Sequence, residues 1–275
     1  MDILVGLDGT PWSEAATRAA LSCLGGERSR HRLTGLHVLS VTRRSGRHLR
    51  DLASFLGFEP VLVPEQVEAF YRRHGDQILA SFAEACTAAG VAGRPLLEQG
   101  NAAERLVHHG DRADLVFLGA RGEGELDWPG HGGTTVERVV RSLGSPAIVV
   151  PQDQGPLTGI LLSYDGSDGA ARALRATRLL LGAVQAPVHA VQVLDGPGAR
   201  SHLDEVREHL AGLGAEVHTH ARAGEPREVL VAAAEELGCN LIALGYRGRG
   251  VGDMFLGRVT EYLLRYVPAG LLIAR

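Results

Sequence analysis

The chain contains no lysine, since all 28 of its basic residues are arginine. The absence of lysine excludes Schiff-base chemistry, a lysine general base and the lysine of a Walker-type phosphate loop. The chain also has no excess of basic residues, since its 32 acidic residues give a net charge of −4. This charge argues against general nucleic-acid binding. No apolar run approaches the roughly 20 residues that span a bilayer, so we expect no membrane partner.

Cysteine is also scarce. Cys23, Cys86 and Cys239 form neither a C-x-x-C pair nor a disulfide framework, and we expect three small buried side chains. The sequence enters a strand-like pattern directly after Met1 without a signal-peptide pattern, which favours a cytoplasmic protein.

What the sequence does have is a repeat at the scale of a domain. Residues 3–10 (ILVGLDGT) return as residues 160–167 (ILLSYDGS), and residues 115–122 (LVFLGARG) return as residues 241–248 (LIALGYRG). Apolar strand patterns alternate with helical patterns in both copies, which predicts parallel strands joined by right-handed crossovers. We therefore predict an α/β protein of two tandem domains with five strands each, which we call copy one (residues 1–152) and copy two (residues 157–275).

The periodicity also gives approximate element positions. The first helix is predicted over residues 13–24, and the last strands over residues 147–150 and 271–274. These last strands are expected to form sheet edges that need cover from another copy, which makes a homodimer the expected assembly.

Copy one carries an insertion. The interval from Asp8 to Gly119 spans 111 residues, whereas the interval from Asp165 to Gly245 spans 80, and the difference falls after the second strand, at about residues 42–73. Its arginines are interleaved with leucine and phenylalanine. The insertion is therefore either a flap that covers the edge of its own core, or a lid or partner-docking surface.

Repeated glycines indicate a ligand site at the strand ends. A glycine pair follows the fourth strand of each copy, and a further glycine with a polar partner opens the next helix, a position whose free N–H groups suit a phosphate. These residues are Gly119, Gly122, Gly133 and Thr134 in copy one, and Gly245, Gly248, Gly257 and Arg258 in copy two. Asp8 and Asp165 end the first strands, where a carboxylate could accept a hydrogen bond from a ribose hydroxyl or an adenine amine.

These residues resemble the universal stress protein (UspA) family, whose ATP-binding signature is G-x2-G-x9-G-[S/T] after the fourth strand, with an aspartate ending the first. The resemblance covers both copies and includes residues 36–38 (LHV), 100–104 (GNAAE) and 146–150 (PAIVV). It implies two Rossmann-like domains related to the adenine nucleotide alpha-hydrolases, each with a five-stranded parallel sheet, and binding of ATP or another adenine nucleotide. It also implies that Asp8 and Val38 meet the adenosine part in copy one, as Asp165 and Val193 do in copy two, with the glycine-motif residues around the phosphates.

Both copies depart from the signature. Copy one has ten residues between Gly122 and Gly133, and places the carboxylates of Glu123, Glu125 and Asp127 there, which would need a divalent cation such as Mg²⁺ beside a triphosphate. Copy two has eight residues between Gly248 and Gly257, but Arg258, Arg247 and Arg249 make its segment cationic. We expect nucleotide in both copies, with unequal affinity.

Three functions remain open at this point. The first is a stress-response regulator that binds an adenine nucleotide without a dedicated catalytic cycle and with an unidentified protein partner. The second is an enzyme with weak ATP or adenylate hydrolysis, although the Ser-Gly-Gly-x-Asp-Ser pattern of such enzymes is missing after the first strand. The third is a dimerisation scaffold with degenerate sites. His218-x-His220 lacks a third ligand for zinc and is expected to face solvent.

Overall fold

The structure is a computed structural model that describes residues 1–25, 31–40, 64–122, 134–194, 201–246 and 257–275. Strands and helices alternate through both copies, as the periodicity predicts. The elements of copy one are β1 (Asp2–Leu7), α1 (Pro11–Ser22), β2 (Arg32–Ser40), α2 (Pro64–Ala88), β3 (Ala92–Gly100), α3 (Ala102–Gly110), β4 (Leu115–Gly119), α4 (Thr135–Ser142) and β5 (Ala147–Val150). Those of copy two are β6 (Ile160–Ser163), α5 (Asp168–Leu181), β7 (Val188–Leu194), α6 (Leu203–Leu210), β8 (Val217–Ala223), α7 (Pro226–Glu236), β9 (Leu241–Gly245), α8 (Arg258–Tyr266) and β10 (Gly270–Ala274).

The ten strands form one continuous sheet. Their order is β3-β2-β1-β4-β5-β10-β9-β6-β7-β8, with parallel pairing inside each copy. The two halves meet at β5 and β10, which pair antiparallel, with Leu272 opposite Ile148. Because the halves run in opposite directions, the carboxyl ends of the copy-one strands lie on the opposite edge of the sheet from those of copy two. The α/β class is confirmed.

The expectation that β5 and β10 are exposed sheet edges is wrong. Each is the other's partner within the chain, and all four residues of β5 and all five of β10 are buried. The outer strands are β3 and β8, which begin and end the strand order. The edge argument for a homodimer therefore no longer applies, and the homodimer itself stays a prediction.

Helix α1 begins two residues earlier than the periodicity predicts. The Thr10 hydroxyl caps it by accepting a hydrogen bond from the N–H of Ser13 at 3.3 Å, and Pro11 occupies the first turn. Proline is favoured there because its missing N–H has no partner to lose, so the helix starts at Pro11 rather than at Ser13.

The sheet is covered by helices on both faces, which explains why its central strands are almost uniformly apolar. Helices α1, α2, α5 and α6 pack on one face, and α3, α4, α7 and α8 pack on the other. The three cysteines are buried and free, as expected. Burial raises the pKa of the Cys23 and Cys239 thiols to about 11.

Part of the insertion is helical. Helix α2 has 25 residues and begins at Pro64, so residues 64–73 are its first turns, whereas the preceding residues 41–63 lie outside the described part. Within the described residues, no helix has the length and apolar character needed to cross a membrane.

Candidate functional site

A cavity of about 470 Å³ lies at the carboxyl ends of the copy-one strands. The strand order reverses there, because β1 is flanked by β2 on one side and by β4 on the other. Open α/β sheets bind ligands at such a position, and the volume is within the range of small-molecule sites. Four of the residues predicted from the sequence line the cavity: Asp8, Val38, Gly119 and Gly122.

The N-terminus of α4 reaches the same cavity. Thr135 lines it, and the preceding residue, Thr134, caps the helix, since its hydroxyl accepts a hydrogen bond from the N–H of Glu137 at 3.0 Å. The predicted Thr134 therefore has a role in starting the helix whose positive end faces the cavity. Gly133 and the three carboxylates that precede it (Glu123, Glu125 and Asp127) lie outside the described residues.

The repeated aspartates hold the turns that start the following helices. Asp8 Oδ1 accepts hydrogen bonds from the N–H of Thr10 at 3.0 Å and from its hydroxyl at 2.6 Å. In copy two, Asp165 Oδ1 accepts from the N–H of Ser167 at 3.0 Å, and Ser167 caps α5 as Thr10 caps α1. The intervening glycine has φ +79° in copy one and +74° in copy two. The motif Asp-Gly-[Thr/Ser] is thus an Asx turn with a helix cap, which the fold requires in both copies.

The first glycine of each pair serves helix packing. A Cβ on Gly119 would lie 2.7 Å from the carbonyl carbon of Trp12, and one on Gly245 would lie 2.4 Å from that of Gly169. These distances are far shorter than real contacts, so α1 and α5 can approach β4 and β9 only because glycine stands there. Gly122 differs, because among the described residues its Cβ would approach only Asp8 Oδ2, at 3.2 Å. Gly122 is thus the glycine whose exposed backbone faces the cavity.

Two arginines that the sequence argument did not single out give the cavity a cationic side. Arg121 follows β4, and Arg138 lies in the first turns of α4; both line the cavity. The Arg121 guanidinium also lies 6.0 Å from the centre of the Trp12 ring. From sequence alone, an arginine on a helix looks like any solvated surface charge, and only the fold brings these two together.

The insertion helix supplies a second missed group. Glu68, Tyr71 and His74 of α2 line the cavity over the ends of β1 and β2. His37 lines it too, and is buried, with its Nδ1–H donating to the Leu7 carbonyl oxygen at 2.8 Å. The helical spacing of Glu68, Tyr71 and His74 was visible in the sequence, but nothing there indicated which way this face of α2 points.

The corresponding region of copy two has different side chains. Ser163 stands where copy one has Gly6, and Tyr262 stands where it has Arg138. The Tyr262 ring lies 5.5 Å from the Arg227 guanidinium. The His202 ring packs on Gly166, whose Cβ would lie within 2.6–2.8 Å of it. These neighbours make copy two unlike copy one at equivalent positions.

Further polar contacts distinguish the copy-two site. The Tyr164 hydroxyl donates to Glu205 Oε2 at 2.7 Å, and burial followed by this hydrogen bond raises the pKa of Tyr164 to about 12. The N–H of Gly257 donates to the Tyr246 carbonyl at 3.1 Å, and Arg258 is exposed. Val193 is the last residue but one of β7, and its register partner on β8 is Arg222. Gly248, like Arg247 and Arg249, lies outside the described residues.

The histidine pair of β8 has a neighbour that the sequence did not indicate. His189 of β7 stacks on His218 with 4.8 Å between ring centres, and its Nδ1 lies 3.2 Å from Nε2 of His220. Burial, then the neighbouring histidines, lower the pKa of His189. Within the described residues, no group of three or more His, Cys, Asp or Glu side chains has an arrangement that could hold a metal ion.

Comparison with known proteins agrees with the repeat. The model of the universal stress protein family matches residues 1–151 and 198–275. Universal stress protein Slr1230 of Synechocystis sp. is 29% identical over 168 residues, which span 59% of this chain and only 58% of that relative. A universal stress protein of Thermus aquaticus, encoded in the QAH/OAS sulfhydrylase 3′ region, is 30% identical over 133 residues, or 42% of this chain and 97% of the relative.

A solved structure shares the whole fold. A universal stress protein from Archaeoglobus fulgidus superposes with a TM-score of 0.76 over 100% of this chain and 98% of that chain, at 20% identity. The two stretches that match the family model fall one in each copy and together cover most of the chain. The chain therefore belongs to the universal stress protein family.

Proposed function

We propose that this protein is a stress-response regulator that binds ATP or another adenine nucleotide, and that copy one is its principal binding site. The observation that carries the proposal is the 470 Å³ cavity at the ends of β1 and β4, with Arg121, Arg138 and the N-terminus of α4 on one side. Guanidinium groups and helix N-termini are the donors that a lysine-free protein has for phosphate oxygens.

The rest of the cavity suits a nucleoside. Its lining includes the apolar side chains of Leu36, Leu118 and Val139, which can bury the apolar surface of a nucleoside. Asp8 directs Oδ2 toward Gly122 while Oδ1 is held by Thr10, so one carboxylate oxygen is oriented in advance for a ribose hydroxyl. The arrangement supports binding, which is why we propose a regulator rather than an enzyme.

Copy two is proposed as the weaker site. Its equivalent of Arg138 is Tyr262, which removes a phosphate ligand, and Ser163 adds volume where copy one has Gly6. The cationic residues Arg247, Arg249 and Arg258 favour some residual affinity, as does the shared Asp-Gly-Ser turn. Mg²⁺ dependence, a homodimer and a cytoplasmic location stay part of the proposal, and the titration described next tests the first of them.

The proposal is tested by extracting small molecules from the purified, denatured protein, quantifying them by mass spectrometry, and titrating the ligand-free protein with ATP, with and without Mg²⁺. We expect an adenine nucleotide at one tight site per chain. Arg138→Ala should weaken ATP binding about tenfold or more, because a charge-assisted hydrogen bond contributes roughly 1.5–3 kcal/mol. Arg18→Ala, at an exposed position of α1, is the matched control and should bind like the wild type.

Three results would contradict the proposal. A flat titration at millimolar ATP, with nothing released on denaturation, would leave the dimerisation scaffold as the better account. If Arg138→Ala and Arg18→Ala changed ATP affinity equally, the cavity would not be the ATP-binding site. Steady ATP turnover that is lost in Asp8→Asn would instead favour a hydrolase.

A further inference from the structure

The copy-one cavity has two chemically different sides. The side near β4 and α4 carries Arg121 and Arg138, whereas the side beneath α2 carries Glu68 and Tyr71. A ligand that matches both has an anionic end and, at the other end, a planar group with hydrogen-bond donors. A nucleotide has this polarity when its phosphates lie near the arginines and its base lies under α2.

Glu68 and Tyr71 belong to helical turns that copy two does not share. Helix α2 has 25 residues and its counterpart α6 has eight. The two helices are brought into register by Ile78 and His202, because each is the side chain nearest to the glycine of its own Asp-Gly turn, Gly9 or Gly166. Glu68 and Tyr71 precede Ile78 by two to three turns, and within the described residues α6 has no turn at the equivalent place. Among the residues that the structure describes, this pair of side chains is therefore found in copy one.

The chemistry of the pair fits a base with an exocyclic amine. An ionised Glu68 offers only acceptors, and its one contact of known length, from Gln99 Nε2 to Oε1, is a long one at 3.5 Å. A carboxylate has about four acceptor sites, so it can take a donor from a ligand while keeping its protein contacts. The Tyr71 ring, held edge-on by Phe70 with 5.6 Å between ring centres, offers a face for stacking.

We infer that Glu68 and Tyr71 form a base-recognition subsite in copy one, which selects adenine over hypoxanthine. This inference rests on the proposed nucleotide function. The adenine amine donates to the Glu68 carboxylate, whereas hypoxanthine presents a carbonyl oxygen at the same ring position and two acceptors face each other. Leaving buried polar groups unpaired in this way is the strongest means a site has of rejecting an analogue.

The test compares the dissociation constants of ATP and ITP, which carry the same triphosphate. The wild type should prefer ATP by about tenfold, since a hydrogen bond to a charged group contributes roughly 1.5–3 kcal/mol. Glu68→Gln should bring the two constants close together, because the amide can donate to the hypoxanthine oxygen. Glu84→Gln, the same change at an exposed position of the same helix, should leave the preference as it is.

Tyr71 has its own pair of variants. Tyr71→Ala should weaken ATP and ITP alike by roughly five- to a hundredfold, the usual effect of losing a stacked ring, and Tyr71→Phe should retain the affinity. An unchanged ATP-to-ITP ratio in Glu68→Gln, with ATP still bound, overturns the subsite and leaves the proposed function standing. A wild type that binds neither nucleotide overturns both.

Discussion

Replacing Gly119 by alanine tests whether the first glycine of the repeated pair serves the fold or the ligand. The new Cβ would lie 2.7 Å from the carbonyl carbon of Trp12 and 3.0 Å from the amide nitrogen of Ser13. Carbon atoms pack favourably at about 3.5–4.0 Å, so the first turn of α1 would have to move by roughly 1 Å. Overpacking of this kind typically costs about 1–3 kcal/mol.

A cost near the middle of that range is measurable as a lowered melting temperature. One kcal/mol shifts the Tm of a domain of 150–250 residues by roughly 2–4 °C, so Gly119→Ala should lower it by about 4–8 °C. Gly122→Ala is the matched variant: its Cβ would approach Asp8 Oδ2 at 3.2 Å and otherwise enter the cavity. It should melt within about 2 °C of the wild type, as tolerated surface changes do, while losing ATP affinity about tenfold.

Scanning calorimetry together with ATP titration separates the two roles. The reasoning is refuted if Gly119→Ala melts with the wild type but binds ATP poorly, because the glycine would then serve the ligand directly. Gly245→Ala gives a second, independent trial in copy two. Its Cβ would lie 2.4 Å from the carbonyl carbon of Gly169, so its destabilisation should be at least as large.

Two further predictions concern stability away from the cavity. Arg265→Ala in copy two should lower the free energy of unfolding by about 1–2 kcal/mol. The reason is that Arg265 Nε lies 3.2 Å from Oε1 of Glu137 in copy one, and this carboxylate, only 7% exposed, would lose its partner. Urea unfolding of the single variants and of the double variant with Glu137→Gln forms a double-mutant cycle, and additive effects would show that the pair is not coupled. Acidification should destabilise the β7–β8 edge, because burial lowers the pKa of His189 and of His220 below 6.5 while His218, Arg222, Glu216 and Glu236 surround them. The unfolded chain then binds more protons than the folded chain below about pH 6.5, so stability falls as the pH drops through that value. His189→Gln should flatten the dependence of Tm on pH between 5 and 8, whereas the control His108→Gln on α3 should not. If His189→Gln and the wild type showed the same slope of Tm against pH, the histidines of β7 and β8 would not be the cause of the acid sensitivity.

Much of the fold follows from the sequence because both copies have strong, consistent periodicity. The ranges predicted for β5 and β10 agree with the structure to within one residue, since both strands are short runs of apolar residues. The joining of the two sheets could not be predicted. Strands of four or five apolar residues carry no alternation, so nothing in them fixes a partner or a register.

The site was less predictable for a different reason. Asp8 and Gly122, which line the cavity, could be singled out from the sequence because they follow strands one and four, where position alone indicates a ligand. Arg138 lies on α4, whereas Glu68 and His74 lie on α2, and their convergence depends on how these two helices pack. Gly119 was assigned to the ligand because glycine looks the same in a sequence whether a ligand or a helix needs the space.

From the sequence, the residues shared by both copies were taken to mark the ligand site, but in the structure several of them serve the fold. The Asp-Gly-[Thr/Ser] turn recurs because it starts α1 and α5, and the first glycine recurs because both helices need the close approach. A residue that the fold requires must appear in every copy. The repetition of a residue in both copies is therefore explained by the fold alone and does not by itself indicate a ligand. The differences carry the functional information: Arg138 against Tyr262, Gly6 against Ser163, and the long α2 against the short α6. In copy one, all three positions line the cavity, which is why we propose copy one as the principal binding site.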